Sequence, residues 1–365
     1  MTRPLLLALA GTRPEVIKLA PLILALQGLE GFRVALGVTG QHQGLLAQAL
    51  SDCGLEAEFD LAVMEPNQAL GPLLGKILSG LEEPLRTLAP AAVIVQGDTT
   101  SALAGALAAF YQGIPVAHVE AGLRSGNLAV PFPEEANRRQ IASVARWHFA
   151  PSPDAAEALV REGVPRERIE VTGNTVIDAC LAQAADAQIP PSLALPPGRL
   201  VLVTLHRREI TQAPDVLAGV LGAIASLARN HPELAFALPA HPSVAAAAER
   251  ALGELANVRL LPPQPYPVFL ALLREACLAI SDSGGVQEEG PALGTPVAVI
   301  RAETERPEAI EAGGVVLTGL DPTAIEAVAE RLLREPARTP SFPYGRGGAS
   351  AKIAATLARA ILADA

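Results

Sequence analysis

Two carboxylates and one imidazole stand just beyond short apolar runs and a third carboxylate opens an expected helix, places suited to side chains that move a proton on a bound anion. Asp98 lies in Gly97-Asp98-Thr99-Thr100-Ser101, Glu120 in His118-Val119-Glu120-Ala121-Gly122-Leu123-Arg124, and Glu134 in Pro131-Phe132-Pro133-Glu134-Glu135-Ala136-Asn137-Arg138-Arg139, with Arg138 one helical turn later. His206 opens His206-Arg207-Arg208-Glu209 directly after a buried-looking run. Such groups serve general acid–base chemistry. Cations accompany them. Arg13, in Gly11-Thr12-Arg13-Pro14-Glu15, and Lys18, a turn further on, fit a helix start with Thr12 or Arg13 near the N-cap and Pro14 in the first turn. With Arg138 and Arg208 they would meet a diphosphate.

Ser281-Asp282-Ser283-Gly284-Gly285-Val286-Gln287-Glu288-Glu289-Gly290 adds a second kind of chemistry. An apolar run that stops at Ser-Asp-Ser and turns through two glycines into a helix leaves backbone N–H groups open to phosphate oxygens at Ser283, Gly284 and Gly285. Glu289, about a turn and a half on, would accept hydrogen bonds from a ribose. Taken singly, each segment also fits a capped turn, a solvated helix start or a surface ion pair. The loop Arg301-Ala302-Glu303-Thr304-Glu305-Arg306-Pro307-Glu308 is charged enough to be expected in solvent.

The elements that must position these residues are legible as short apolar runs between amphipathic stretches: Leu5–Ala10, Val34–Thr39, Ala92–Gln96, Val116–Val119 and Trp147–Ala150, then Leu200–Thr204, Ala235–Ala240, Val258–Leu261, Leu278–Ile280, Val297–Ile300 and Val315–Leu317. That alternation predicts α/β architecture with two parallel, doubly wound, Rossmann-like sheets. Ligands of such sheets bind beyond the strands' carboxyl ends, which is where the unusual residues fall. The expected division is residues 1–172 and 173–345, with a last helix, 346–365, crossing back onto the first part. A proline-rich stretch from Ile189 to Gly198 is the hinge candidate.

With 365 residues and a hydrophobic fraction of 50%, two cores can be filled. A net charge of −10 and an aromatic content of 3% argue against a nucleic-acid partner. No apolar run reaches the roughly 18 residues of a membrane span; Met1 to Ala10 reads as the first strand rather than a signal peptide. Isolated Cys53, Cys180 and Cys277 fit a reducing, cytoplasmic compartment. A bound metal is not expected, because Arg13, Lys18, Arg138 and Arg208 already supply positive charge beside the carboxylates. A nicotinamide cofactor is not expected either, since no Gly-x-Gly-x-x-Gly follows the first strand.

The motifs at residues 11–15, 97–100, 118–124, 133–138, 173–178 (Gly-Asn-Thr-Val-Ile-Asp), 206–209, 281–290 and 305–308 together resemble the non-hydrolysing UDP-N-acetylglucosamine 2-epimerases, in order from residue 11 to about 353. The resemblance implies a GT-B-type fold with an interdomain cleft, a homodimer, and interconversion of UDP-GlcNAc and UDP-ManNAc without NAD or metal. It also implies acid–base roles for Asp98, Glu120, Glu134 and His206. Contacts to UDP would come from Arg13, Lys18, Arg138, Arg208, Ser283, Gly284 and Gly285, with Glu289 on the ribose. The alternatives are a UDP-sugar glycosyltransferase of the same fold and a hydrolysing epimerase that releases ManNAc. Two departures bear on substrate activation and uridine contacts. In Gln41-His42-Gln43-Gly44, like the family's first activator-binding segment, Gly44 stands where a polar side chain is common, the second segment is shortened to His241-Pro242-Ser243, and Pro265 replaces an acidic residue before Tyr266.

Overall fold

The computed structural model describes residues 3–40, 43–63, 65, 68–336 and 338–364. The chain divides into two units: one formed by residues up to Ala179 together with those from Tyr344 onward, the other by Cys180–Pro343. Each is a parallel α/β sheet.

The first unit contains seven strands: β1 (Leu5–Ala10), β2 (Arg33–Val38), β3 (Phe59–Asp60), β4 (Ala92–Gln96), β5 (Val116–Val119), β6 (Trp147–Ala150) and β7 (Ile169–Val171). Their order is β3-β2-β1-β4-β5-β6-β7, so the chain reverses its winding between β1 and β4. The apolar runs expected from the sequence are all strands. The two edge strands, β3 and β7, were not anticipated; they are short and half exposed, and so lack the continuous apolar run that marks a central parallel strand. All six residues of β1 are buried. Leu6, Ala8 and Ala10 share a core with Val16, Leu19 and Ile23 of the Arg13–Gln27 helix and with Ile353, Leu357 and Ile361 of the Ala349–Asp364 helix.

Residues 173–178 tie that returning helix in place. Gly173 has φ +88°, and a Cβ there would lie 3.0 Å from the Tyr344 carbonyl oxygen. The Asn174 N–H donates to that same oxygen at 2.8 Å. The Asp178 carboxylate accepts from the N–H groups of Ala349 and Ser350 at 3.2 and 2.6 Å, satisfying the open first turn of the helix.

The second unit has β8 (Arg199–Thr204), β9 (Leu234–Pro239), β10 (Val258–Leu261), β11 (Ala276–Ser281), β12 (Val297–Val299) and β13 (Val315–Leu317), in the order β10-β9-β8-β11-β12-β13. Its switch point lies between β8 and β11. The core interleaves Val201, Val203, Phe236, Leu238, Leu278 and Ile280 with the Pro214–Asn230 and Pro322–Arg334 helices. Among the described residues no helix is long and apolar enough to cross a membrane.

Candidate active site

In the first unit, the loops after β1, β4 and β5 carry most of the residues singled out above. Thr12 is the N-cap of the Arg13–Gln27 helix, and Pro14 sits in its first turn. Gly11 must be glycine, because a Cβ would fall 1.9 Å from Ser101 Oγ. Glu15, in the first turn of that helix, gathers the loops together. It accepts from the Gly11 N–H at 3.0 Å, from Thr12 Oγ1 at 2.7 Å and, across the switch point, from Thr99 Oγ1 at 2.7 Å. Burial raises its pKa from 4.5 to about 7, against the pull of those donors.

Because the folded protein keeps the Glu15 proton up to about pH 7, and an unfolded chain releases it near the ordinary carboxylate value, folding binds a proton in that window. Stability is therefore lost as pH rises from about 4.5 to 7, by about 3 kcal/mol in full. Urea denaturation of the protein and of Glu15→Gln across pH 5–8 checks this. The wild-type curve should fall relative to the variant's, and parallel curves would remove Glu15 as the source.

Two ion pairs hold the rim carboxylates. Lys18 Nζ is 2.5 Å from Glu120 Oε2, which also accepts from Asn174 Nδ2 at 2.8 Å; both charged side chains are buried. Glu120 has φ +65°, a left-handed conformation that non-glycine residues seldom take and that costs on the order of 1 kcal/mol or more. Its neighbours hold it there. Asp98 Oδ2 is 2.5 Å from Arg138 Nη2, and the Asp98 carbonyl accepts from Asn137 Nδ2 at 2.8 Å.

Arg138 is only 1% exposed, and its other arm is 3.3 Å from Glu135 Oε2. Glu135 is fully buried and also takes Arg139 and the Ser125 N–H. Glu134, the first residue of the Glu134–Val144 helix, and Arg13 are partly exposed on the same set of loops. His118 Nε2 lies 2.8 Å from the Gly97 carbonyl oxygen, which accepts, so that nitrogen carries the hydrogen. Burial depresses the His118 pKa to about 3, so it holds the Asp98 turn as a neutral ring.

The second unit brings its residues to the ends of β8 and β11. Thr204 Oγ1 and Ser281 Oγ are 2.6 Å apart, and Ser281 Oγ accepts from the Ser283 N–H at 3.0 Å. The Val286–Leu293 helix that follows has Gly285 at its N-cap and no side-chain cap hydrogen bond, so no side chain there occupies its first-turn N–H groups. A Cβ on Gly284 would meet Arg306 Nη1 at 2.8 Å, and one on Gly285 would lie 3.4 Å from Glu289 Oε2. The two glycines thus let the turn pack directly against Arg306 and Glu289. Tyr266, which follows Pro265, holds Glu289 through a 2.5 Å bond from its hydroxyl to Oε1.

Behind the glycines is a buried charge cluster where a solvated loop was expected. Arg306 Nε is 2.6 Å from Glu288 Oε1, Arg306 also pairs with Glu305, and Arg301 Nη2 is 2.9 Å from Glu305 Oε2. Arg207 Nη2 stands 3.7 Å from Glu305. Three guanidinium groups against two carboxylates leave positive charge beside the open helix end, which suits an anion. Arg208 is exposed at the start of the short Arg208–Thr211 helix. His206 Nδ1 lies 2.8 Å from Asp282 Oδ1, and Asp282 Oδ2 accepts from the N–H groups of His206 and Arg207, both at 2.8 Å.

The sequence reading passed over Glu15, Glu135, Asn174, Tyr266 and Asp282, although all but Tyr266 lie within motifs already quoted. His241 Nδ1 is 2.7 Å from Ser243 Oγ and caps the Pro242–Leu252 helix. Gln41 and His42 lie outside the described residues. Among the described residues no group of three or more His, Cys, Asp or Glu side chains is arranged for a metal ion.

Known proteins resemble this chain in sequence and fold. The sequence profile of the UDP-N-acetylglucosamine 2-epimerase family matches residues 24–358. The UDP-N-acetylglucosamine 2-epimerase of Salmonella typhimurium is 43% identical over 364 residues, covering 95% of this chain and 96% of its own. The crystal structure of UDP-GlcNAc 2-epimerase from Neisseria meningitidis bound to UDP-GlcNAc superposes with a TM-score of 0.89 at 39% identity, covering 97% of this chain and 100% of that one. The S. aureus MnaA structure with UDP gives a TM-score of 0.93 at 34% identity, over 98% and 97% of the two chains. The fold class is GT-B-type α/β. With the profile running through both sheets and the relatives matching end to end, this chain belongs to the UDP-N-acetylglucosamine 2-epimerase family.

Proposed function

We propose that the protein interconverts UDP-GlcNAc and UDP-ManNAc by eliminating UDP and adding it back. The observation that carries the reading is the pair of ion-paired carboxylates at neighbouring strand ends, Asp98 with Arg138 and Glu120 with Lys18, in a chain whose relatives are epimerases of this sugar nucleotide. A C2 hydrogen on an intact sugar is far from acidic, so it must leave as the bond from C1 to the diphosphate breaks. A base takes the C2 proton, the C–H pair becomes the C1=C2 double bond of 2-acetamidoglucal, and the C1–O pair departs with UDP. Return of a proton to the other face of C2, with attack of UDP oxygen on C1, gives the epimer.

Asp98, Glu120, Glu134 and His206 are the groups proposed for the two proton transfers. The N–H groups at Gly284 and Gly285, with Arg13, Lys18 and Arg208, receive the charge growing on the leaving diphosphate, while Ser283, whose N–H is taken by Ser281 Oγ, offers its hydroxyl. Glu289, steadied by Tyr266, takes the ribose. Arg138 is proposed to act through Asp98, given its burial. The form proposed is a cytoplasmic homodimer that uses neither NAD nor a metal.

Incubation with UDP-GlcNAc in deuterated buffer tests the reaction. Proton NMR should show UDP-ManNAc lacking its H2 signal, with deuterium appearing in the recovered UDP-GlcNAc as well. Product that keeps its C2 proton contradicts the mechanism, and accumulation of UDP with free ManNAc would make the protein a hydrolysing epimerase.

A further inference from the structure

We propose that Asp282 is a positioning residue for His206, and that the two form a dyad in which Asp282 keeps the hydrogen on Nδ1 and leaves Nε2 free for the substrate. This rests on the acid–base role given to His206 above. Asp282 is completely buried, whereas the His206 side chain is 44% exposed, so one end of the pair is fixed and the other is accessible. The two carboxylate oxygens do different work. Oδ2 is committed to two backbone donors, the N–H groups of His206 and Arg207, which fixes both the carboxylate and the loop that carries the imidazole. Oδ1 is then left facing His206 Nδ1 at 2.8 Å, off the ideal hydrogen-bond line, as such contacts often are before substrate tightens them. A carboxylate oxygen only accepts, so the neutral ring must carry its hydrogen on Nδ1.

The site on the sheet adds to the argument. Asp282 directly follows β11 and His206 lies two residues past the end of β8, so the pair spans the switch point of this sheet. The Thr204 to Ser281 hydroxyl contact and the Asp282 N–H donated to the Thr204 carbonyl clamp the two strand ends together. Asp282 is also the residue before Ser283. One buried side chain therefore sets the imidazole while its backbone leads into the glycine turn proposed for the diphosphate. Burial works to raise the Asp282 carboxyl, but the His206 ring and the two N–H donors outweigh it and hold it below the usual range, so it is ionised while the enzyme works.

Asp282→Asn tests this through a readout that simple packing would not move. The amide oxygen must stay with the two backbone N–H groups, which places the NH2 group against His206 Nδ1. The ring then has to accept at Nδ1 and shift its hydrogen to Nε2. Long-range 15N–1H NMR of His206 should show the Nδ1–H form in the wild type and the Nε2–H form in the variant. Turnover should fall by about 100-fold, with KM within about threefold.

An unchanged tautomer, or turnover that survives, overturns the dyad. Should the variant not fold, the wild-type spectrum decides alone: a neutral ring with its hydrogen on Nε2 would end the proposal. His206→Gln separates the two ideas. If it is inactive while Asp282→Asn is fully active, only the dyad fails; if His206→Gln itself turns over normally, the acid–base role of His206 fails with it.

Discussion

Asp98→Asn should lose about 10²- to 10⁴-fold in epimerisation rate while still binding UDP, the range over which a positioned proton-transferring group contributes. The substitution keeps the shape and removes the charge. The backbone of residue 98 is held independently of its side chain, by Asn137 on its carbonyl and by His118 on the carbonyl of Gly97. The side chain is about one-fifth exposed, with one oxygen on Arg138, so a reacting carbon can reach the other. UDP affinity by calorimetry should stay within about threefold of wild type, and deuterium exchange at C2 should fall together with turnover. Near-normal exchange in this variant would take Asp98 out of the chemistry. Exchange that persists while net epimerisation stops would place Asp98 on one face of the sugar only.

Arg138→Met is expected to have the largest effect on stability. Methionine matches the length of the arginine stem but leaves Glu135 buried with Arg139, itself 39% exposed, as its remaining cation, and frees Asp98. Removing one partner of a buried pair costs about 3–5 kcal/mol, most of it from the stranded charge. For a unit of this size that lowers the melting temperature by roughly 10 °C. Adding Glu135→Gln should restore part of the loss, because the second change removes the charge that the first left uncompensated. Calorimetric melts of the two variants settle it. A single variant that melts like wild type would mean that water reaches Glu135. Activity should fall as well, since Asp98 loses the group that fixes it.

The central strands and the turns after them were legible because both are local: an apolar run of four to six residues followed by Gly, Asp or Ser needs nothing from elsewhere in the chain. So were Thr12 as an N-cap and the uncapped glycine turn at Ser283. The edge strands Phe59–Asp60 and Ile169–Val171 were not, since half-exposed backbone pairing leaves little trace in hydropathy.

Within the site, the residues that were missed are those defined by partners far away in sequence. Glu15 meets Thr99 at a separation of 84 residues, and Asp282 meets His206 at 76. The Glu134-Glu135 pair shows the same limit at short range. Both carboxylates open one helix, and only the packing shows that the second is the fully buried one, sharing Arg138 with Asp98. The burial of Arg301, Glu305 and Arg306 ran against their charge for a related reason: each supplies the counter-ion that allows the next to leave water.

The first unit is stitched from two stretches of chain, and this governs how the protein is born. The ribosome must translate all of Cys180–Pro343 before the Ala349–Asp364 helix emerges to cover the apolar flank of Arg13–Gln27. At ordinary elongation rates that flank stays bare for on the order of ten to thirty seconds. Nascent chains of this protein should accordingly be clients of chaperones that shield exposed hydrophobic surface, until Ile353, Leu357 and Ile361 arrive to close the seam.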